Sequence, residues 1–431
     1  MSNEVPEGYK MTEIGVIPEE WKAIDTTDIL FYQEGPGIRS YEYTDTGCHI
    51  INVRCVRDGY INLDDARYVS WDLINDKWKH FLIEQGDILV TTSGTIGRVA
   101  RVRKYDLPLL MNTSVVRFRS LDNDILSDDY LQFFLMSRIF YDQLYAQHTG
   151  AVIKNVGPAH IVRTRVMIPP LHEQQAIASI LSSIQEAKEK TDAVIQSARE
   201  LKKSLMKHLF TYGPVPLDEA ENVPLKETEI GMIPEEWDVV KLGDTGDIIT
   251  GTTPRTDVKE YYGDEYMFIS PGDMGKTKYV YDTSKWLSED GLNVSRVLPR
   301  NTVLVVCIGA TIGKISMTYN AKSTTNQQIN AIIANDNVCP HYLYYAIDYR
   351  SGKLPSLAGR AAVPIVNKSS FSKFTISMPP LHIQQNIAGI LSAVDHKIEA
   401  EENKSKALGE LFRTMLHNLM TGKIRVRNME I

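Results

Sequence analysis

PPLHEQQAIASILS (residues 169–182) returns later in the chain as PPLHIQQNIAGILS (379–392), at an offset of 210. Each copy opens a long stretch with almost no helix breaker. The first has neither Gly nor Pro from Leu171 to Tyr212; the second holds two glycines, Gly389 and Gly409, before Gly422. Pro suits the start of a helix, where its missing N–H has no intrahelical partner to lose, and Gly suits the end. Apolar residues recur at three- and four-residue intervals: Ile177, Ile180, Ile184, Ala187, Val194, Ala198, Leu201 and Leu205 in the first copy. The second gives Leu391, Val394, Ile398, Ser405, Leu408, Phe412, Met415 and Leu419. That spacing predicts two helical rods, each with one apolar seam. A rod of this length measures roughly 60 Å at 1.5 Å per residue. Its seam needs a partner, and two equal rods in one chain supply each other, antiparallel if the copies are related by a pseudo-twofold axis.

A second repeat lies upstream of each rod. TEIGVIPEEW (12–21) and TEIGMIPEEW (228–237) agree at nine of ten positions, at an offset of 216. Weaker echoes fall between, such as ILVTTSGTIGR (88–98) against LVVCIGATIGK (304–314). The chain is therefore a duplicated module of domain size, too long in period for a solenoid. Its flanks are nearly identical and its middles have diverged. Fixed ends with varied middles indicate one scaffold carrying two recognition surfaces.

The middles are rich in short β-like runs, such as HIINVRCV (49–56), DILVTTS (87–93), TVLVVCI (302–308) and INAII (329–333). Turn signals such as EGPGIRS (34–40) and ITGTTPRT (249–256) punctuate them. The fold class expected is α+β: two mixed α/β recognition domains separated by two long helices in an antiparallel coiled coil, with pseudo-twofold internal duplication. The expected boundaries are a first recognition domain at 1–168, a spacer helix at 169–212, a linker and second recognition domain at 213–378, and a C-terminal spacer helix and tail at 379–431.

Composition sets further limits. With 431 residues, 43% hydrophobic and 23% charged, the chain can bury real cores and is not a disordered acidic polymer. The longest apolar run, Val303–Ala310, has strand length, far below the roughly 18–20 residues of a membrane span. The first residues lack a secretory leader pattern. Cys48, Cys55, Cys307 and Cys339 form no CxxC pair, so neither a disulfide scaffold nor a zinc ribbon is expected, and a reducing cytoplasm fits best.

Catalytic constellations are missing. GATIGKIS (309–316) resembles a phosphate-binding loop but is one residue short between its glycines and has no Ser or Thr directly after Lys314. It reads as strand–turn–strand, as does SGTIGR (93–98). No GxGxxG, HExxH or GxSxG pattern supports a dinucleotide, zinc-protease or serine-hydrolase site. His172 and His382 share one repeat position just inside the rods, where capping or packing is expected rather than metal binding.

Taken with the tandem repeats, the two helix starts, the TEIG-x-IPEEW flanks and LMTGKIRV (419–426), the chain resembles the DNA-specificity subunit of type I restriction–modification systems. EGPGIRSYEYTDTG (34–47) and ITGTTPR (249–255) look like the beginnings of that family's target recognition domains. The resemblance implies a chain that catalyses nothing. Each recognition domain would read one half of a split site on double-stranded DNA. The helices would set the half-site spacing and dock two modification (methyltransferase) subunits, and restriction (motor-nuclease) subunits would join them. Methyl donor, ATP and Mg would sit on those partners, with no cofactor or metal in this chain and no membrane association. A degenerate methyltransferase or nuclease, and a decoy subunit that assembles without reading DNA, are the rival readings. One departure from the family pattern is Ile383, where the first copy has Glu173; if that Glu touches a partner, the second contact differs.

Candidate DNA contacts follow from donor chemistry. Arg98, Arg101, Arg103, Lys104, Arg117 and Arg119 form the densest basic stretch, with only Asp106 opposing nearby in sequence. Thr92, Ser93, Thr95, Asn112 and Thr113 accompany it, and Gly37, Arg39 and Tyr41 sit on an early glycine-rich loop. In the second module the candidates are Thr252, Thr253, Arg255, Lys259, Tyr261, Thr311, Lys314, Asn326, Gln327, Gln328 and Arg360, among which Asn and Gln can pair bidentately with adenine. The net charge of −7 sits on the recognition domains, −5 over 1–168 and −4 over 213–378, while each rod segment is +1. DNA binding must then rely on local patches. The isolated chain is expected to bind weakly, with partners supplying most phosphate neutralisation.

Overall fold

The two predicted rods are the helices Leu171–Tyr212 and Leu381–Met420. Both begin directly after the paired prolines. The carbonyls of Pro170 and Pro380 accept the first helical amides, from Glu173 and Gln174 in one copy and from Ile383 and Gln384 in the other. Both end on a left-handed glycine, Gly213 (φ 84°) and Gly422 (φ 68°), the conformation that releases a chain from a helix and that other residues adopt at a cost. The computed structural model describes residues 5–146, 156–359 and 363–426.

These residues form two compact units. One combines the chain up to residue 190 with residues from 405 onward; the other spans 191–404. Each unit thus holds one recognition domain and a stretch of both long helices. In the second unit Arg199 pairs with Glu402 (2.5 Å) and Lys202 with Asp395 (2.7 Å), so residue numbers rise along one helix as they fall along the other: the stretches are antiparallel. In the first unit Ile177 and Leu181 share a core with Leu416, Leu419 and Met420.

The seam of the second helix follows the sequence pattern, with Leu391, Ser405 and Leu419 buried. The first helix departs from it. Val194 and Leu201 face solvent, and Thr191 and Ile195 are buried instead. A helix of 3.6 residues per turn drifts out of a strict 3.5-residue repeat, and beyond residue 190 the buried stripe has moved by one position.

Each unit repeats the same order of elements. A short hairpin made from the TEIG-x-IPEEW repeat comes first, Tyr9–Thr12 with Gly15–Pro18 and Leu225–Thr228 with Gly231–Pro234. Its Trp, Trp21 or Trp237, is buried against the end of a long helix, beside Leu419 and Met420 in the first unit and Leu209 and Phe210 in the second. The recognition domains are built on antiparallel sheets. The first runs Leu30–Glu34, Val115–Ser120, Ile88–Thr91, Val99–Arg101. The second runs Gly246–Thr250, Ile329–Ala334, Val303–Val306, Ile315–Thr318, with Tyr279–Val280 added parallel at its edge. A smaller sheet packs beside each, holding Cys48–Ile51 and Leu109–Met111 in one and Tyr266–Ile269 and Ser323–Thr325 in the other. The phosphate-loop look-alikes are the turns of ordinary hairpins, with Val90 paired to Val99 and Val305 to Ile315.

Candidate nucleic-acid interface

Strand direction decides which loops meet. In the first sheet the C-terminal ends of Leu30–Glu34 and Ile88–Thr91 lie beside the N-terminal ends of Val115–Ser120 and Val99–Arg101, and in the second those of Gly246–Thr250 and Val303–Val306 lie beside the N-terminal ends of Ile329–Ala334 and Ile315–Thr318. In the first unit this gathers the loops after Glu34, Ile51, Thr91 and Met111 on one edge. In the second it gathers those after Thr250, Ile269, Val306 and Thr325.

Matched backbone hydrogen bonds hold the two edges. Gly35 donates to Val115 (3.3 Å) as Gly251 does to Ile329 (3.0 Å). Asn112 donates to Ile51 (3.1 Å) as Asn326 does to Ile269 (3.2 Å). Thr92 donates to Ser114 (2.9 Å) as Cys307 does to Gln328 (2.8 Å). The carbonyls of Thr92 and Cys307 accept from Val156 and Val366, each at 2.8 Å. The Asn side chains act alike too: Oδ1 of Asn112 accepts from the Ser114 amide and Oδ1 of Asn326 from the Gln328 amide, both at 3.0 Å. Glycine at 35 and 251 is required by close approach, because a Cβ there would lie 2.4 Å from the Asn112 carbonyl oxygen and 2.1 Å from that of Asn326.

Onto this frame the structure places most of the candidates. Gly37, Arg39, Tyr41, Thr95 and Thr113 are exposed there, and Ser93, Arg98 and Asn112 are half-buried. Thr92 is buried within the frame. In the second unit Thr253, Arg255, Lys259, Thr311 and Gln327 are exposed, and Thr252, Tyr261, Lys314, Asn326 and Gln328 are half-buried. Arg255 pairs with Asp257 (2.6 Å), and Nζ of Lys314 donates to the Pro271 carbonyl (2.8 Å). Arg360 lies outside the described residues. The sequence reading passed over the loop after Ile51, where Arg54 is exposed and the Val53 amide donates to Oγ of Ser114 (3.0 Å). Only the pairing register, invisible in composition, brings that loop to the edge.

The basic stretch does not stay together. Arg98 joins the loop edge, and its side chain makes no hydrogen bond or ion pair among the described residues. Arg101 closes the far end of the strand that follows it, and Arg103 and Lys104 lie beyond that end, away from the gathered loops. Arg101 pairs with Asp129, Arg103 with Glu189 (3.1 Å), and Arg119 with Asp87 and Glu84, while Lys104 is exposed. Arg117 is 6% exposed. Its guanidinium donates to the carbonyls of Leu82 (2.7 Å) and His80 (3.0 Å) beside Asp87, so it is occupied inside the protein. Burial is the main influence on Arg117 and lowers its proton affinity, with the Asp87 charge opposing. The acids that neutralise this stretch stand far from it in sequence, which is why Asp106 looked like its sole opponent.

Glu173 is no surface contact. Its buried carboxylate accepts from Nε1 of Trp21 (3.0 Å) and from Nε (2.7 Å) and Nη2 (2.8 Å) of Arg425 in the C-terminal tail. Burial alone would raise its carboxyl, but the hydrogen bonds from Arg425 and Trp21 outweigh it and hold the group below the ordinary range. The neighbouring Gln is used identically in both copies: Gln174 accepts from Ser127 and donates to Pro169, and Gln384 accepts from Cys339 and donates to Pro379, each pair at 2.9 Å. His172 and His382 are exposed and make no capping bond among the described residues. Among the described residues no His, Cys, Asp or Glu cluster could hold a metal ion, and no helix is long and apolar enough to cross a membrane.

The site therefore consists of two matched loop edges carried on a duplicated helical scaffold. Residues 18–197 and 234–410 each match the type I restriction modification DNA specificity domain. The putative type I restriction enzyme MjaX specificity subunit of Methanocaldococcus jannaschii is 26% identical over 432 residues, covering 98% of this chain and 97% of that protein. The HindI specificity subunit of Haemophilus influenzae is 34% identical over 197 residues, 44% of this chain and 42% of its own. The S subunit structure from M. genitalium superposes with a TM-score of 0.62 at 17% identity, covering 93% of this chain and 96% of that one. A chain from a structure of type I R-M complex assembly and conformational transition gives 0.53 at 17%, covering 95% and 99%. At that identity the structures speak for the fold. The chain belongs to the type I restriction–modification DNA-specificity family. It is the DNA-recognition subunit of such a complex rather than a catalytic one, and its two specificity domains fit a two-part DNA site.

Proposed function

We propose that each loop edge reads one half of a split DNA site, and that the paired helices dock two modification subunits to which restriction subunits add. The observation that carries the reading is the frame itself: the same backbone bonds hold loops whose exposed side chains differ between the units. A scaffold with no reading task has no reason to keep two different surfaces on one frame. On this reading methyl donor, ATP and Mg belong to the partner subunits, and the complex works in the cytoplasm.

The test is co-expression with the modification subunit, followed by mapping of methylated bases. A two-part motif with an unread gap supports the reading. A stable complex that leaves no motif favours a decoy subunit. Methyl-donor binding by the purified chain alone favours a degenerate methyltransferase. The recognition domains are net acidic, so the chain without partners is expected to bind DNA weakly, with few counterions released and a shallow salt dependence.

A further inference from the structure

The two loop edges can be compared position by position, because their hydrogen bonds correspond. Some exposed or half-buried positions keep their chemistry: Arg98 matches Lys314, and Arg39 matches Arg255. Others change: Thr113 matches Gln327, and Gly37 matches Thr253. All four changed residues are exposed and carry no frame bond, whereas their neighbours Asn112 and Asn326 use their side-chain oxygens to hold the turn.

In the second unit the changed pair is coupled. Oγ1 of Thr253 donates to Oε1 of Gln327 at 2.5 Å. That bond fixes the plane of the Gln amide on an exposed loop. It leaves the amide N–H groups and one oxygen lone pair free to face a ligand. A planar donor–acceptor pair of this kind matches N7 and N6–H of adenine in the major groove. In the first unit the same place offers a hydroxyl and methyl group on Thr113 opposite Gly37, which has no side chain to orient it. That chemistry suits a thymine methyl or a single hydrogen bond.

We propose that Gln327, oriented by Thr253, reads an adenine in the half-site of the second domain, that Thr113 occupies the matching position in the first, and that Arg98 serves the phosphate backbone. The assignment rests on the reading that each edge faces one half-site. Gln327 touches the base, and Thr253 is a positioning residue acting through it.

The experiment uses the full chain assembled with its modification subunits. Binding is measured to the mapped two-part site and to single-base-pair variants of it. Q327A and the near-isosteric Q327E each lower discrimination at one A·T pair of the second half-site by about tenfold, within the range of a bidentate base contact. Preferences in the first half-site stay as they were. T253A gives a smaller loss at the same pair, and R98A weakens binding evenly across sequences and lowers the salt slope by about one. A wild-type complex with no two-part site would overturn the underlying reading. A two-part site whose base preferences survive both Q327A and Q327E, or a loss spread over both half-sites, overturns the readout assignment alone.

Discussion

Glu173 and Ile383 occupy the same position in two nearly identical helix starts, and the chain treats them oppositely. Around Glu173 the first unit closes a buried ion pair with Arg425, brought in by the tail that follows the second long helix. Around Ile383 the matching stretch is Gly213-Pro214-Val215-Pro216, which offers no cation. Acid and base are present together in one copy and absent together in the other. The junction is thus specified by shape, a buried Trp and a helix end, and the charges are an option that must come as a pair. The partner contact considered for Glu173 is replaced by an internal one.

Removing one member should therefore have the largest effect. R425M leaves a buried carboxylate without its cation and is expected to destabilise the first unit by about 3–5 kcal/mol, read by denaturant unfolding of the full chain. Adding E173I, which copies the second unit, should recover most of that loss. If E173I fails to rescue, charge and not shape defines the junction. Acid sharpens the same comparison. A carboxyl held below its ordinary value of 4.5 contributes stability that is present above that value and lost as pH falls through the lower, folded one. The wild type should weaken more steeply below about pH 4.5 than the E173I/R425M chain.

The loop frames come next. G35A and G251A drive a Cβ against a backbone carbonyl in each unit. Each is expected to cost about 1–3 kcal/mol. G37A meets nothing within 4 Å and should stay within about 0.5 kcal/mol of wild type. Equal costs at 35 and 251 support one shared frame, and a cost at only one of them breaks it. N112A and N326A each remove a side-chain bond to the turn and should cost about 1 kcal/mol, measured as thermal shifts.

A further comparison concerns how each recognition domain meets its helix. In the first unit Arg103 and Glu189 form a half-exposed pair, so E189Q should cost less than about 1 kcal/mol and less still in high salt. In the second unit Nζ of Lys278 reaches Tyr345 (3.1 Å) and Ser392 (2.9 Å) inside the protein, and burial lowers its pKa to about 8. A lysine depressed in the folded state opposes folding while charged. The wild type should accordingly gain stability relative to K278M as pH rises from about 8 towards 10.5.

What the sequence made legible was whatever is local or repeated. The proline pairs, the terminal glycines, the duplicated hairpins and the strand–turn–strand nature of GATIGKIS all depend on neighbouring residues. The loops carrying Arg39, Thr95 and Thr253 were legible from their turn chemistry, while Thr113 and Gln327 entered on donor chemistry alone. Illegible were the features set by strand direction and long-range pairing. Arg98 and Arg101 are three residues apart in sequence, yet one strand separates them onto different ends of a sheet. Arg117 satisfies the carbonyls of His80 and Leu82 at the end of a short 3-10 helix some thirty-five residues away in sequence, and Asp87, Asp129 and Glu189 neutralise a stretch they do not adjoin. The first helix's buried stripe moves by one position past residue 190 because a 3.6-residue turn drifts out of a strict seven-residue repeat.

The central claim is that one frame serves two independent readers. It is tested most directly by replacing residues 22–168 with a second copy of 238–378, co-expressing the product with the modification subunit, and mapping the methylated sites. The account predicts a two-part motif in which both halves carry the sequence read by the second domain. A motif that keeps the original first half, or one that changes in both halves at once, would contradict it.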